Sequence, residues 1–160
     1  MNKQETYQYL KDHNIPFEIT EHPAVYNMGE LDSLDLPYPE GDAKNLFVRD
    51  DKKKNYYLIT VKGDKRVNLK DFRKAHGLRP LSFASPEDLK KYMDLKPGAV
   101  TPLGLLNVEG APITMYLDAE FKDSIIGIHP NENTATVWLQ GDDLVMLLRE
   151  NGCEVKIVEI

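Results

Sequence analysis

Three polar clusters at the edges of apolar runs hold the residues most suited to chemistry: Ala43-Lys44-Asn45-Leu46-Phe47-Val48, Pro97-Gly98-Ala99-Val100-Thr101-Pro102-Leu103-Gly104, and Ile125-Ile126-Gly127-Ile128-His129-Pro130-Asn131. The ammonium of Lys44 can hold a phosphate, or a carbonyl oxygen on which charge develops. Asn45 adds a donor and an acceptor beside it. Gly98 to Pro102 has the form Gly-x-x-x-Pro. Small residues let a backbone come close to a ligand, and backbone N–H groups can orient a polar one. His129 follows an apolar strand-like run, where it can bind a ligand or close the strand end by hydrogen bonding. The plainer alternatives are a solvated lysine, an ordinary tight connection and a structural histidine.

No nucleophile accompanies these residues. There is no Gly-x-Ser-x-Gly elbow. Cys153 reads as a small core residue. Chemistry here would act by positioning a substrate and a water. His13, His22, His76 and His129 form no His-x-x-x-His pair, and one cysteine cannot make Cys-x-x-Cys. Neither a phosphate-binding Gly-Lys-Ser/Thr loop nor a dinucleotide-binding glycine pattern is present. No metal and no cofactor are expected.

The elements that must position these clusters can be read from periodicity. Asn2 and Glu5 fit a capping box for a helix over residues 3–13, ended by Asn14 and Pro16. Residues 17–22 alternate as a half-buried strand. Residues 28–34 read as a short helix, followed by an acidic loop with Pro37, Pro39 and Gly41. Leu46-Phe47-Val48 and Tyr56 to Val61 form a hairpin around a lysine-rich turn. Asn68 caps a helix that Gly77 stops, and Ser85-Pro86-Glu87-Asp88 opens another that runs to Asp94. Strands are expected near 112–117, 124–128, 134–139 and 154–158, with a helix over 142–151 before the last. Helices interrupting runs of strands indicate an α+β (mixed α/β) fold with a largely antiparallel or mixed sheet.

The chain of 160 residues is expected to form one domain, 1–160, with a hydrophobic fraction of 41% and a charged fraction of 29%. A net charge of −6 argues against general nucleic-acid coating. It leaves room for a local basic face, because Lys52, Lys53, Lys54, Lys62, Lys65, Arg66, Lys70, Arg73, Lys74 and Arg79 crowd the middle. The N-terminus lacks a signal-like pattern, no apolar run approaches a bilayer span, and a lone cysteine excludes an internal disulfide. A cytoplasmic protein without membrane partners is expected.

The ordered set Lys-Asn-Leu-Phe, lysine-rich hairpin, Gly-Ala-Val-Thr-Pro-Leu-Gly-Leu and Gly-Ile-His-Pro-Asn-Glu-Asn resembles the YbaK/prolyl-tRNA synthetase-associated editing domains, from about Tyr7 to Val158. The similarity is strongest to the free-standing branch that deacylates Ala-tRNA(Pro). The resemblance implies a mixed, partly barrel-like sheet with surrounding helices, and hydrolysis of the ester at the tRNA 3′ end. It implies catalytic-site roles for Lys44 and His129, the latter shaping the small side-chain pocket. Asn45, Gly98, Thr101, Pro102 and Gly104 would bind the aminoacyl end. Lys52, Lys53 and Lys54, with Arg66 or Lys70, would meet the acceptor stem of tRNA(Pro). Prolyl-tRNA synthetase is a further expected partner. Editing of cysteine or serine, a noncatalytic tRNA- or synthetase-binding module, and a small-molecule binder are the competing readings.

Overall fold

The computed structural model describes residues 1–24, 36–107 and 113–160. The helix expected over 28–34 lies outside the described residues. Helix α1 (Lys3–Asp12) carries the expected capping box: Asn2 accepts from the Glu5 N–H, and Glu5 accepts from the Asn2 N–H. Strand β1 is Glu18–Glu21, β2 is Ala43–Asp50 and β3 is Tyr56–Lys62. Helix α2 (Leu69–Ala75) precedes β4 (Leu81–Phe83) and α3 (Pro86–Met93). Strands β5 (Ile113–Asp118), β6 (Ile125–Ile128) and β7 (Ala135–Gln140) follow, then α4 (Gly141–Glu150) and β8 (Glu154–Val158).

The strands form two sheets. A five-stranded sheet has the order β4-β2-β3-β5-β8, and a three-stranded sheet has the order β1-β7-β6. The larger sheet is mixed: β2 runs antiparallel to β3 and β4, whereas β3–β5 and β5–β8 are parallel. The smaller sheet is antiparallel. A parallel bridge, Asp42 to Gly127, links the start of β2 to β6. The fold is therefore α+β, with two sheets rather than a closed barrel.

The main core fills the space between the sheets. Phe47, Leu58, Met115 and Leu117 meet Ile126, Ile128, Val137 and Leu139, closed by Leu10, Met93, Leu144 and Leu148 of the helices. A second cluster, Val48, Ile59, Val61, Phe72 and Tyr116, lies on the other face of the large sheet under α2. Side chains alternate across a strand, so these clusters define the faces of β2. Ala43 and Phe47 pack in the main core, while Leu46 and Val48 belong to the α2 side.

Candidate active site

Strand β2 begins earlier than its apolar residues suggest, because Ala43, Lys44 and Asn45 pair with Lys62, Val61 and Thr60. The polar residues are thus held by a backbone ladder. By alternation, Lys44 and Asn45 leave β2 on opposite faces. Lys44 is half-buried, and its Nζ donates to the carbonyl of Lys65. That bond uses one of three ammonium donors. Asn45 accepts at 2.7 Å from the hydroxyl of Thr60, which has no exposed surface. The contact turns the NH₂ half of the Asn45 amide away from Thr60.

His129 stands at the end of β6. Its Nδ1 lies 2.9 Å from the Ala135 carbonyl. A carbonyl only accepts, so Nδ1 carries the proton and Nε2 the lone pair. His22 lies 6.1 Å away, ring to ring, and its Nε2 is 2.9 Å from the Thr136 hydroxyl. Burial pushes the His129 pKa below its ordinary 6.5; the Ala135 bond opposes this and the charge of His22 adds to it. The folded site thus favours neutral imidazole. An unfolded His129 binds its proton as pH falls through 6.5, before the folded one does. This contribution to stability is complete above that pH and is lost as pH falls below it. Denaturant midpoints measured from pH 7.5 to 5.5 are expected to fall less steeply in His129→Gln than in the native chain. Equal slopes would show that His129 ionises alike in both states.

The Gly-x-x-x-Pro segment is largely internal. Gly98 has φ +89°, a left-handed conformation that glycine adopts freely. Thr101 is fully buried, and its hydroxyl accepts from the Leu103 N–H at 3.3 Å, opening a 3₁₀ turn over Pro102–Leu106. Gly104 sits against Leu95 and Met93; an added Cβ would lie 2.5 Å from Leu95 Cδ1 and 3.0 Å from Met93 Cε. Packing alone accounts for a glycine at 104.

The basic residues separate into two groups. Lys52, Lys53 and Lys54 are exposed at the tip of the β2–β3 hairpin. The buried Asp50 shapes that tip, accepting from the Lys54 N–H at 2.9 Å, the Asn55 N–H at 3.3 Å and Asn55 Nδ2 at 2.7 Å. Arg66 and Lys70 are exposed beyond β3, at the opposite end of the hairpin, and Arg66 follows Lys65, whose carbonyl meets Lys44. A strand advances about 3.3 Å per residue, so the length of β2 puts roughly 25 Å between the groups.

Thr60 and Asp118 carried no signal of their own in the sequence, and Lys65 only that of one more residue in the basic middle. Thr60 is found only through its pairing with Asn45. Lys65 and Asp118 come together only because β3 and β5 are neighbours. Lys65 Nζ lies 2.8 Å from Asp118 Oδ2 and also contacts Glu120. Burial acts to lower the Lys65 pKa, but these two carboxylates outweigh it and hold the ammonium above its usual value. A cleft of about 510 Å³ opens here, lined by Pro39, Glu40, Lys62, Gly63, Lys65 and Glu120 among others. Among the described residues, no group of three or more His, Cys, Asp or Glu is placed to hold a metal. No helix among them is long and apolar enough to cross a membrane.

The profile of the aminoacyl-tRNA editing domain matches residues 22–147. The chain is 36% identical over 159 residues to the prolyl-tRNA editing protein ProX of Acetoanaerobium sticklandii, covering 99% of this chain and 97% of that protein. It is 32% identical over 140 residues to the prolyl-tRNA synthetase associated domain-containing protein 1 of Mus musculus, covering 84% and 82% of the two chains. A crystal structure of a candidate trans-editing enzyme for prolyl tRNA synthetase superposes with a TM-score of 0.68 at 20% identity, covering 100% of this chain and 98% of that one.

Proposed function

Because the chain belongs to the aminoacyl-tRNA editing domain family, we propose that it is a free-standing deacylase that hydrolyses the ester of mischarged Ala-tRNA(Pro). The observation that carries this reading is the near end-to-end match to a protein named for prolyl-tRNA editing. Alanine is smaller than proline and enters a pocket built for it. A missing group in an apolar pocket gives only about 1–3 kcal/mol of discrimination, so a second site that admits only the smaller residue is needed.

In the proposed reaction a water oxygen attacks the ester carbonyl carbon. The bond to the ribose oxygen breaks, that oxygen takes a proton, and alanine leaves. The site supplies no covalent intermediate. The vicinal ribose hydroxyl of the substrate assists the water, and the protein holds ester and water together, an arrangement worth about 7–11 kcal/mol in ideal cases. Lys44 offers its ammonium to the terminal phosphate or to the developing oxyanion. Asn45, from the opposite face of β2, and the half-buried Gly98 that heads the Gly98 to Gly104 segment position the aminoacyl end, with Thr101, Pro102 and Gly104 buried behind it. His129, neutral and tied to Ala135, walls the small side-chain pocket. The unit of function is the single domain 1–160, acting in the cytoplasm on the acceptor end of tRNA(Pro), alone or beside prolyl-tRNA synthetase.

The deciding experiment measures amino-acid release from tRNA(Pro) charged in turn with alanine, cysteine, serine and proline. Fast release of alanine with proline spared is expected. Preferential release of cysteine or serine would move the substrate within the family, and release of none would favour a binding module.

The exposed lysines of the hairpin tip are the proposed acceptor-stem contacts. Replacing Lys52, Lys53 and Lys54 together by alanine removes three cations and should flatten the dependence of log K on log salt by about two to three units. Filter binding of tRNA(Pro) across a salt series checks this; an unchanged slope would show that this lysine run is merely surface.

A further inference from the structure

We propose that Lys65 and Asp118 form a positioning unit that fixes the Lys44 ammonium for hydrolysis, an inference that rests on the editing reading of the same site. Lys44 donates to the main-chain carbonyl of Lys65. The direction of the Lys44 ammonium therefore depends on where that carbonyl is held. The carbonyl belongs to the segment joining β3 to α2, which carries no ladder of its own. Val67 packs on the cluster under α2, and among the described residues three polar ties hold the segment ahead of it. The Gly63 N–H donates to the Asp42 carbonyl at 2.9 Å, and the Lys65 N–H donates to the Lys62 carbonyl at 3.0 Å. The third is the Lys65 side chain, which reaches Asp118 at 2.8 Å, Glu120, and the Ile160 carbonyl at 2.9 Å.

Asp118 is the fixed point of this arrangement. Its side chain is 1% exposed, at the end of β5. Its two oxygens also accept from the Lys62 N–H at 3.4 Å and the Glu120 N–H at 3.1 Å. Taking a carboxylate out of water is costly, and a partly exposed ion pair returns little net stability. Its geometric consequence is specific: Asp118 holds Lys65 Nζ, the segment is fixed, and the Lys65 carbonyl takes one Lys44 donor. The other two Lys44 donors are then aimed without a search at the moment of reaction.

The test uses the full chain with Lys65→Met, which keeps the stem and removes the charge, and Lys65→Arg, which restores a cation. Lys65→Met should lower kcat for alanine release by about tenfold to a hundredfold, the scale of a small misplacement. KM for the charged tRNA should stay within about twofold and Lys65→Arg should recover most of kcat, since only charge-dependent positioning is lost. In a Lys44→Ala background, Lys65→Met should have almost no further effect, because the two residues act as one unit. Independently of turnover, the ¹⁵Nζ resonance of Lys44 should move in Lys65→Met. Asp118→Asn, which retains an acceptor for the Glu120 N–H, replaces Lys65→Met if thermal unfolding shows that variant to be unfolded. Native kcat in Lys65→Met, additive losses in the double variant, or an unmoved Lys44 resonance would each overturn the proposal. If the native chain releases no amino acid from any tRNA, the editing reading fails, and the resonance alone decides the positioning.

Discussion

Lys44→Ala is expected to slow alanine release from Ala-tRNA(Pro) by about a hundredfold to a thousandfold, the loss typical of one preorganised donor to a developing oxyanion. The fold should survive. Lys44 pairs with Val61 through backbone groups that alanine keeps. The side chain is only half-buried, and among the described residues its hydrogen bond is to a main-chain carbonyl. Removing it opens no core cavity and strands no buried charge. Lys44→Arg should rescue poorly, because a planar guanidinium cannot place its donors where a compact ammonium does. Single-turnover release, with far-ultraviolet circular dichroism to check folding, measures both. A well-folded Lys44→Ala variant with release within twofold of native would remove Lys44 from the site.

A large loss of stability is expected from Gly127→Ala. A Cβ at 127 would lie 2.3 Å from Trp138 Cζ3 and 2.7 Å from Cε3. The indole cannot move aside. It is 1% exposed, its Nε1 donates to the Thr20 hydroxyl at 2.9 Å, and Tyr38 packs on it at 5.5 Å between ring centroids. Gly41 closes the same ring from another side, where an added Cβ would be 3.3 Å from Cζ3. Overpacking of this kind costs about 1–3 kcal/mol, and a rigid ring puts it at the upper end. Gly104→Ala is the control. Its clashing atoms are the far ends of Leu95 and Met93, which can shift, so a smaller loss is expected. Urea unfolding of the pair measures the difference; equal midpoints would mean that the indole yields. Gly104→Ala also separates packing from substrate contact, since only the latter raises KM.

The elements bearing strong local signals were legible in the sequence. The Asn2–Glu5 box, the Asn68 cap and the Ser85–Asp88 start all stand where local chemistry puts them. Strand β4 was missed because Leu81-Ser82-Phe83 is short, follows Pro80 and lies on an edge. The early start of β2 was missed because Lys44 and Asn45 look like loop residues until Thr60 and the Lys65 carbonyl are seen beside them. The turn over Pro102–Leu106 reads as plain loop, since its organising bond is one buried threonine hydroxyl. The three polar clusters could be picked out as residues, but their faces could not. Which side of β2 carries Lys44, and that Lys65 meets Asp118, follow from pairings between segments far apart in the chain. No local propensity encodes such pairings.

The pairing of β1 with β7 also sets the order in which the molecule can be completed during synthesis. Thr20 and its partner Trp138 are separated by 118 residues. At translation rates of roughly 5–20 residues per second, about 6–24 seconds pass between the appearance of one and the other. Through that interval β1 has no neighbour within its own sheet, since β7 is the strand it pairs with. The five-stranded sheet can start from its local β2–β3 hairpin, whereas the three-stranded sheet waits for β6 and β7. The indole at 138 then seals Gly127, Gly41 and Thr20 in one late step. A nascent chain stalled before residue 135 should therefore leave its first 24 residues open to proteases, whereas the full chain, with Leu144 and Leu148 in the same core as Leu10, should protect them.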